Sequence, residues 1–437
     1  MKASYALALL SAANAYAQVV SYSETDDLTF IQGTNTNELT RTRTVPTGLY
    51  TTYTTRITLG GGTSVSTHIS TATITETDGP STETLTSTIE ESVSTSQASQ
   101  TSTSTAARPT STLPCNEHVE LCSRKYSNFT MVGAHNSPFN RPGNSGSNQA
   151  LSVGTQLDDG VRFLQAQIQW PENSDVPHFC HTSCDLLDAG PIQDWLGEVR
   201  DWLDNHPNEV VTILLGNGNY SDPALYHPYI SESGILRYSY EPPFLPMTMD
   251  DWPTLEWMIA HGQRAVIFMD YGADQLRYPW LIDEFAHMWE TPFDPIDRNF
   301  PCVIQRPPDL GANLARDRMY LMNHNLNAEF NVFDTQILVP AVSVLNETNA
   351  VSGYGSLGLA ANNCRSDWGR APNILNVDYY NYGNYPGSVF EVAAQHNNVT
   401  YERRKCCGMR ASPAPPRPRL TKWVARAAAV VLTGLML

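Results

Sequence analysis

The chain has 437 residues, of which 41% are hydrophobic and 10% aromatic, enough for one or two globular domains. It carries 27 Lys and Arg against 44 Asp and Glu, a formal charge of −17, so it repels phosphate backbones and we expect no nucleic-acid partner. No stretch approaches the ~18 uncharged apolar residues of a bilayer-spanning helix, which excludes a membrane transporter.

Residues 1–17 have the features of a secretory leader. Lys2 precedes a short apolar run, and Ala15 and Ala17 are the small residues of a cleavage site after Ala17. We therefore expect a secreted or cell-surface protein whose eight cysteines meet an oxidising compartment. Four glycosylation sequons agree with that location, and they begin at Asn128, Asn219, Asn346 and Asn398.

Residues 18–112 are rich in Ser and Thr, which account for 17 of the 30 residues from Ser81 to Thr110. Such a segment buries too little apolar area to offset its ordering entropy, so we predict an extended, O-glycosylated stalk. The alternation between Leu49 and Ser70 also permits local β-hairpins.

Residues 403–437 combine a basic, Pro-rich spacer with an apolar tail, which is the pattern of a GPI-attachment signal. Arg426 interrupts that tail, so a plain secreted tail and a surface amphipathic segment stay open as alternatives.

Residues 113–402 alternate apolar runs with helix-like stretches. The predicted strands are Asn128–Ala134, Arg162–Gln169, Val210–Gly216, Arg264–Met269, Cys302–Gln305, Arg318–Met322 and Asn373–Val377. The predicted helices are Pro191–Asn205, Asp251–His261, Trp280–Glu290, Thr335–Leu345 and Ser388–His396. Continuous apolar strands are typical of a parallel sheet covered on both faces. Length and repeat number predict an α/β fold of the TIM-type (β/α)8 barrel class, and no Gly-rich dinucleotide fingerprint favours an open sheet.

In such a barrel the reacting groups lie at the carboxyl ends of the strands. The polar residues there that we predict to form a site are His135, Asn136, Gln165, Gln167, His181, Asn217, Asp270 and Asp378. His135 and His181 follow early consecutive elements and can face one mouth, where two imidazoles with near-neutral pKa share acid and base roles. Barrel closure makes the last strand a neighbour of the first, so Asp378 is our candidate to orient His135.

The cysteines allow a disulfide framework. Proximity in sequence favours Cys180–Cys184, Cys115–Cys122 and Cys302–Cys364. A zinc site built from His178, Cys180, His181 and Cys184 is the alternative for the first pair.

Three ordered motifs carry a family resemblance. The segments Thr130–Ser137, Gln156–Gln167 and Cys180–Leu187 resemble the X-domain of phosphatidylinositol-specific phospholipase C, and the likeness is greatest to the fungal secreted phosphodiesterases. The resemblance extends over about 115–401. It implies a TIM-type barrel with His135 as general base and His181 as general acid, acting on a phospholipid or glycolipid headgroup through a cyclic inositol phosphate.

The chain departs from both branches of that family. Bacterial members place a phosphate-neutralising arginine where this chain has Gln167, and calcium-dependent members place carboxylates where it has Gln165, Gln167 and Gly216. Neutral amides suit a hard dication poorly, so we predict no cofactor and leave calcium open. For Arg162, a structural ion pair with Asp158 or Asp159 is favoured over a phosphate-binding role.

Three functions therefore compete. The first is a monomeric phosphoric diester hydrolase of the phospholipase C type at a membrane or cell-wall surface. The second is a catalytically impaired barrel that serves as a cell-wall or lipid-binding module, which the missing charge donor favours. The third is a glycoside hydrolase that uses Asp270 and Asp378, which leaves the histidine motifs unexplained.

Overall fold

The computed structural model describes residues 113–402 apart from 173, 182 and 333–334. It also describes residues 406–407 and the N-terminal pieces 18–21, 29–32, 50–51, 53, 55–59, 71–74 and 83–86. The predicted leader, the greater part of the predicted stalk and nearly all of the predicted GPI-signal tail lie outside the described residues.

Eight parallel strands form the central sheet and follow the strand order of a (β/α)8 barrel. In chain order, β1 to β8 are Met131–Ala134, Phe163–Gln169, Val211–Gly216, Ala265–Met269, Leu281–Asp283, Met288–Glu290, Met319–Asn323 and Ile374–Val377. Neighbours pair from β1 to β5 and from β6 to β8, and β8 pairs with β1. The predicted barrel class is therefore confirmed, with one seam between β5 and β6, which are not paired in the described part of the chain.

Helices and short hairpins connect these strands. Within the described ranges, α1 to α9 are Val153–Asp158, Ile192–Asn205, His227–Glu232, Leu255–Ala260, Glu284–His287, Ala312–Arg316, Leu345–Thr348, Leu357–Trp368 and Ser388–Asn397. The short 3-10 helices are Val119–Leu121, Tyr126–Asn128, Pro223–Leu225, Ile235–Tyr238 and Val342–Val344. The antiparallel strand pairs are His178–Cys180 with Asp188–Pro191, Ile57–Thr58 with Phe244–Leu245, Asn327–Val332 with Thr335–Pro340, Gln18–Ser21 with Thr29–Gln32, and Thr71–Ile74 with Glu83–Thr86. No helix in these ranges has both the length and the apolar character needed to cross a bilayer.

Alternation along the strands separates two apolar clusters. Ile213 and Leu215 of β3 pack in a large cluster with Leu196 of α2, between the sheet and the helices. Leu214 packs in a second cluster with Phe163 and other inward residues of neighbouring strands. Successive side chains of a strand point to opposite faces, so the side-chain parity of each strand identifies its barrel-facing residues.

Three predicted elements are wrong. The segment Trp280–Glu290 contains β5, the four-residue helix α5 and β6 instead of one helix. Every side chain in it is buried, so the segment has no solvent-facing side of the kind an amphipathic helix shows. The predicted helix Thr335–Leu345 is mostly a hairpin strand, and the predicted strand Cys302–Gln305 has no regular structure. Helix α8 was not predicted.

A piece of the predicted stalk packs on the barrel beside the seam. We call the described residues between 50 and 59 the strap. Its two-residue strand pairs with Phe244–Leu245. The Tyr50 ring lies 4.9 Å from that of Phe285, and the Tyr53 hydroxyl donates to Asp283 Oδ2 at 3.0 Å. Arg56 pairs with Asp251 at 2.7 Å. The strap therefore contacts both β5 and α5, the elements that lead into the seam.

The predicted disulfides Cys115–Cys122, Cys180–Cys184 and Cys302–Cys364 are all present. The alternative zinc site is wrong, because the Cys180–Cys184 bond uses both of its thiols. Cys406 and Cys407 form a further pair.

Candidate active site

Polar residues line the end of the barrel at which the strands reach their carboxyl ends, which we call the mouth. Met131, Phe163 and Ile374 belong to the inner apolar cluster, so residues that follow them at even spacing also face inward. That parity places His135, Gln165 and Asp378 on the inner side. Apolar residues thus fill the lower barrel, and polar side chains fill its mouth.

His135 and Asp378 form a buried hydrogen-bonded pair at the mouth. They directly follow β1 and β8, whose pairing brings Ala134 opposite Val377. Nδ1 of His135 lies 2.7 Å from Oδ1 of Asp378, and the two residues are 5% and 2% exposed. Because the carboxylate occupies Nδ1, the Nε2 nitrogen is the one available to exchange a proton with another molecule.

Two asparagines that the sequence analysis did not select complete the surroundings of His135. Asn148 donates from Nδ2 to Asp378 Oδ1 at 2.9 Å, and the same nitrogen lies 3.3 Å from His135 Nδ1. Nδ2 of Asn325 lies 3.4 Å from His135 Nε2. Asn136, which was predicted, donates to Asn148 Oδ1 at 3.2 Å. The imidazole is therefore in contact with a carboxylate on one side and an amide on the other.

His181 approaches the mouth on the hairpin loop that follows β2. The Cys180–Cys184 disulfide encloses it, and its ring packs 5.2 Å from that of Phe139. Burial, reinforced by the charge of His135, lowers the pKa of His181 to about 4. The expected near-neutral pKa is therefore wrong for His181, because its side chain is buried in the free protein. Because the charge of His135 contributes to this lowered pKa, His181 lies within electrostatic range of His135.

The two predicted glutamines of β2 have different surroundings. Gln165 Oε1 accepts a hydrogen bond from Asn376 Nδ2 at 2.9 Å, within the barrel. The Gln167 carboxamide lies over Gly216, where an added Cβ would collide with it. Glycine at position 216 therefore makes room for Gln167 at the mouth.

A buried charge cluster occupies the mouth next to the seam. Arg306 contacts Glu290 at 3.0 Å, Asp270 at 3.4 Å and the Tyr271 hydroxyl at 2.8 Å. Burial raises the pKa of Asp270 although Arg306 opposes the shift. Burial and the nearby Glu290 also hold the pKa of Glu284 well above its usual range. Arg306 is a mouth cation that the sequence analysis missed, and carboxylates already neutralise it.

Asn217 and Asp270, both predicted to bind substrate, are engaged by the protein itself. Asn217 donates to Ser221 O and Tyr271 O and accepts from the Tyr226 hydroxyl, each at 2.9 Å. Asp270 Oδ1 accepts from the main-chain amides of Asn217 and Tyr271 at 2.6 and 2.8 Å. These contacts are typical of residues that fix the loops after β3 and β4.

Arg162 forms the expected structural ion pair, but its predicted partners are wrong. It contacts Glu209 at 2.7 Å, whereas Asp158 accepts from Trp202 and Asp159 from Tyr380. Arg162 precedes β2 and so lies at the end of the barrel away from the mouth.

The donor set fits calcium poorly. Gln165 is engaged with Asn376, Gln167 lies over Gly216, and Asp378 is engaged with His135. Among the described residues, no group of three or more His, Cys, Asp or Glu is arranged to hold a metal ion. Calcium takes six to eight oxygen ligands, several of them carboxylates, whereas Asp270 and Glu290 at this mouth are engaged with Arg306 and Asp378 with His135.

Comparison with known proteins identifies similar sequences. The family described as PI-PLC X 1 matches residues 121–393. An uncharacterized secreted protein of Arthroderma benhamiae is 52% identical over 301 residues, which are 69% of this chain and 67% of that protein. A PI-PLC X domain-containing protein 1 of the same fungus is 43% identical over 282 residues, covering 64% of this chain and 89% of the relative.

Comparison with solved structures finds matches to two bacterial phosphatidylinositol-specific phospholipases C. That of Listeria monocytogenes has a TM-score of 0.42 and 13% identity, covering 64% of this chain and 96% of that chain. The F249X mutant of the Staphylococcus aureus protein has a TM-score of 0.44 and 14% identity, covering 62% and 94%.

Proposed function

The chain belongs to the PI-PLC X family, and on that basis we propose that it is a phosphoric diester hydrolase of the phospholipase C type. The observation that carries the proposal is the buried 2.7 Å contact between His135 and Asp378 at the mouth, with Nε2 of the ring left for a substrate. A family relative named for its PI-PLC X domain supports an inositol-containing phospholipid or glycolipid as substrate.

The proposed reaction moves two protons. A headgroup hydroxyl next to the phosphate gives its proton to Nε2 of His135, and its oxygen bonds to phosphorus. The bond between phosphorus and the lipid oxygen breaks, and His181 protonates that leaving oxygen. The products are a cyclic phosphate and the lipid alcohol. Asp378 holds the His135 tautomer and stabilises the imidazolium that forms.

The proposed site acts at a lipid surface. Large apolar side chains on loops around the mouth are exposed to solvent, among them Leu186 at 64%, Tyr220 at 45% and Tyr354 at 57%. Exposed apolar side chains near a site are favourable where a bilayer covers them. The proposed scheme has no step through a metal, since the carboxylates of the mouth are engaged with His135 and Arg306.

We place the protein outside the cell. The leader-like N-terminus and three predicted disulfides that the structure contains support export, as does the relative named as a secreted protein. All four sequon asparagines are exposed, as N-glycosylation requires. The GPI anchor remains part of the proposal and rests on the tail sequence alone.

Release of headgroup from phosphatidylinositol vesicles tests the activity. We expect turnover by the wild-type protein and none by His135→Ala or His181→Ala. His261→Ala is the matched control, because that histidine is exposed at the end of α4 and precedes β4 at the opposite end of the barrel. Equal turnover by all four proteins contradicts the proposal.

A non-catalytic lipid- or wall-binding barrel is the second candidate. The neutral Gln167 beside Gly216 favours it, because an amide stabilises developing charge less than a cation does and the mouth cation Arg306 is engaged with carboxylates. If the wild-type protein binds the same vesicles saturably but releases no headgroup, the result supports the non-catalytic binding function.

A further inference from the structure

Asn325 lies at the inner face of the mouth although it follows the end of β7. Leu321 belongs to the inner apolar cluster, and Asn323 and Asn325 continue the same parity. Asn325 is 1% exposed. Its position therefore directs a buried carboxamide towards the inside of the barrel.

The hydrogen bonds of this buried carboxamide are incomplete. Its Nδ2 contacts His135 Nε2 at 3.4 Å, and its Oδ1 has no hydrogen-bond partner in the described part of the chain. By contrast, Asn397 satisfies both main-chain groups of Thr130, at 2.8 and 2.6 Å. A buried amide oxygen without a partner costs free energy, and a hydroxyl of a bound molecule would satisfy it.

The location of the contact gives the amide a chemical role. Asp378 occupies Nδ1 of His135, and Asn325 is the protein group at Nε2. A hydroxyl that approaches Nε2 to give up its proton therefore enters hydrogen-bonding range of the Asn325 amide. The oxygen of that hydroxyl gains negative charge as its proton leaves, and an N–H donor aimed at it lowers the barrier.

We propose that Asn325 is a substrate-contacting residue whose amide N–H binds the attacking hydroxyl oxygen while that hydroxyl passes its proton to Nε2 of His135. In the same pose the free Oδ1 accepts a hydrogen bond from an adjacent hydroxyl, which fits a polyhydroxylated headgroup. This proposal rests on the proposed function. It supplies a neutral donor at a mouth whose cation Arg306 is engaged with Asp270 and Glu290.

Two variants and one control test the role of Asn325. Asn325→Ala removes the donor, and Asn325→Asp replaces it with a group that repels the developing charge. We expect Asn325→Ala to lower kcat by about 100-fold on phosphatidylinositol vesicles with a smaller change in KM, and Asn325→Asp to lower it further. Asn397→Ala is the control, since that buried asparagine bonds to the main chain of Thr130, before β1 and away from the mouth. Thermal unfolding verifies that each variant is folded.

A binding measurement separates this proposal from the proposed function. Inositol 1-phosphate is titrated into each protein and followed by NMR chemical shifts. If the wild-type protein binds it without turning over lipid, the proposed function fails, while a tenfold loss of affinity in Asn325→Ala still supports the contact. Wild-type affinity and turnover in both Asn325 variants overturn the proposal for Asn325 alone. A wild-type protein that neither binds nor turns over overturns both.

Discussion

Nδ1 of His135 lies 2.7 Å from Oδ1 of Asp378 across 243 residues of chain. The contact exists because β8 pairs in parallel with β1, so the residues that follow the two strands meet at the mouth. The pairing of β8 with β1 therefore positions Asp378 to orient His135, the proposed general base. The unpaired seam between β5 and β6 lies on the other side of the barrel.

The first prediction concerns the carboxylate of that pair. Asp378→Asn keeps the size of the side chain but removes the charge that stabilises protonated His135. We expect kcat on phosphatidylinositol vesicles to fall by at least about 100-fold, in line with loss of the carboxylate in a catalytic triad. Asp188→Asn is the control, because Asp188 pairs with His178, a histidine with no proposed role. Similar losses in both variants contradict a special role for Asp378.

The second prediction concerns pH. The pKa of His181 is lowered to about 4 in the free protein, so the proposed general acid is neutral at pH 7 and becomes protonated only as pH falls. An anionic phosphodiester bound beside it favours the protonated ring. We therefore expect the alkaline limb of kcat/KM to lie at lower pH than that of kcat, since the two report free and substrate-bound enzyme. Coincident limbs above neutrality exclude His181 as the acid.

The sequence predicted the barrel better than it predicted particular elements. Apolar runs such as Val211–Gly216 are buried on both faces and were recognised as strands. The segment Trp280–Glu290 was wrongly predicted as one helix, because the complete burial of its acidic side chains depends on tertiary packing that the sequence pattern does not show. Helix α8 has clear end signals, with Ser356 accepting from the Leu359 amide and Gly369 at a φ of 73°. Its weak apolar periodicity concealed it.

Site residues at strand ends could be selected from sequence, whereas residues recruited from loops could not. His135 and Asp378 each follow an apolar run directly. Asn325 shares the parity of Asn323, so continuing the alternation beyond β7 would have found it. Asn148 belongs to the loop between β1 and α1, and only tertiary packing brings it to Asp378.

The third prediction concerns the strap. The Tyr53 hydroxyl donates to Asp283, a buried carboxyl at the end of β5. Tyr53→Phe leaves that oxygen without this donor, so we expect a loss of about 1–2 kcal/mol in the free energy of unfolding, measured by urea denaturation. Tyr354→Phe is a matched control on an exposed ring. Equal free energies of unfolding for the two variants contradict a stabilising role of the strap through the hydrogen bond from Tyr53 to Asp283.

The fourth prediction concerns the pH dependence of stability. Burial raises the pKa of Asp283 from its usual 3.8 to about 6. The folded state therefore binds the proton of the Asp283 carboxyl more tightly than the unfolded state does. The stability that this protonated carboxyl contributes is complete below pH 3.8 and is lost as pH rises through about 6. Asp283→Asn should remove that loss, so the variant gains about 2–3 kcal/mol relative to wild type between pH 4 and 7.

Buried histidines change the free energy of unfolding with pH in the opposite direction. They are present both in the wild-type protein and in Asp283→Asn. Burial lowers the pKa of His287 to about 4 and that of His324 to about 3, so their contributions are lost as pH falls below about 6.5. The difference between wild type and Asp283→Asn isolates the carboxyl. A difference that does not change with pH refutes the assignment.

The last prediction concerns calcium. On β2 the mouth offers amides such as Gln165, and its carboxylates are already engaged, Asp378 with His135 and Asp270 and Glu290 with Arg306. Calcium bound there would displace these hydrogen bonds and gain few charged ligands in return. We therefore expect turnover of phosphatidylinositol vesicles to be the same after dialysis against EDTA and after addition of millimolar calcium. Gln165→Glu restores one carboxylate on β2, and calcium-dependent stabilisation of that variant alone, measured by thermal unfolding, agrees with this account. Calcium-dependent turnover of the wild-type protein contradicts it.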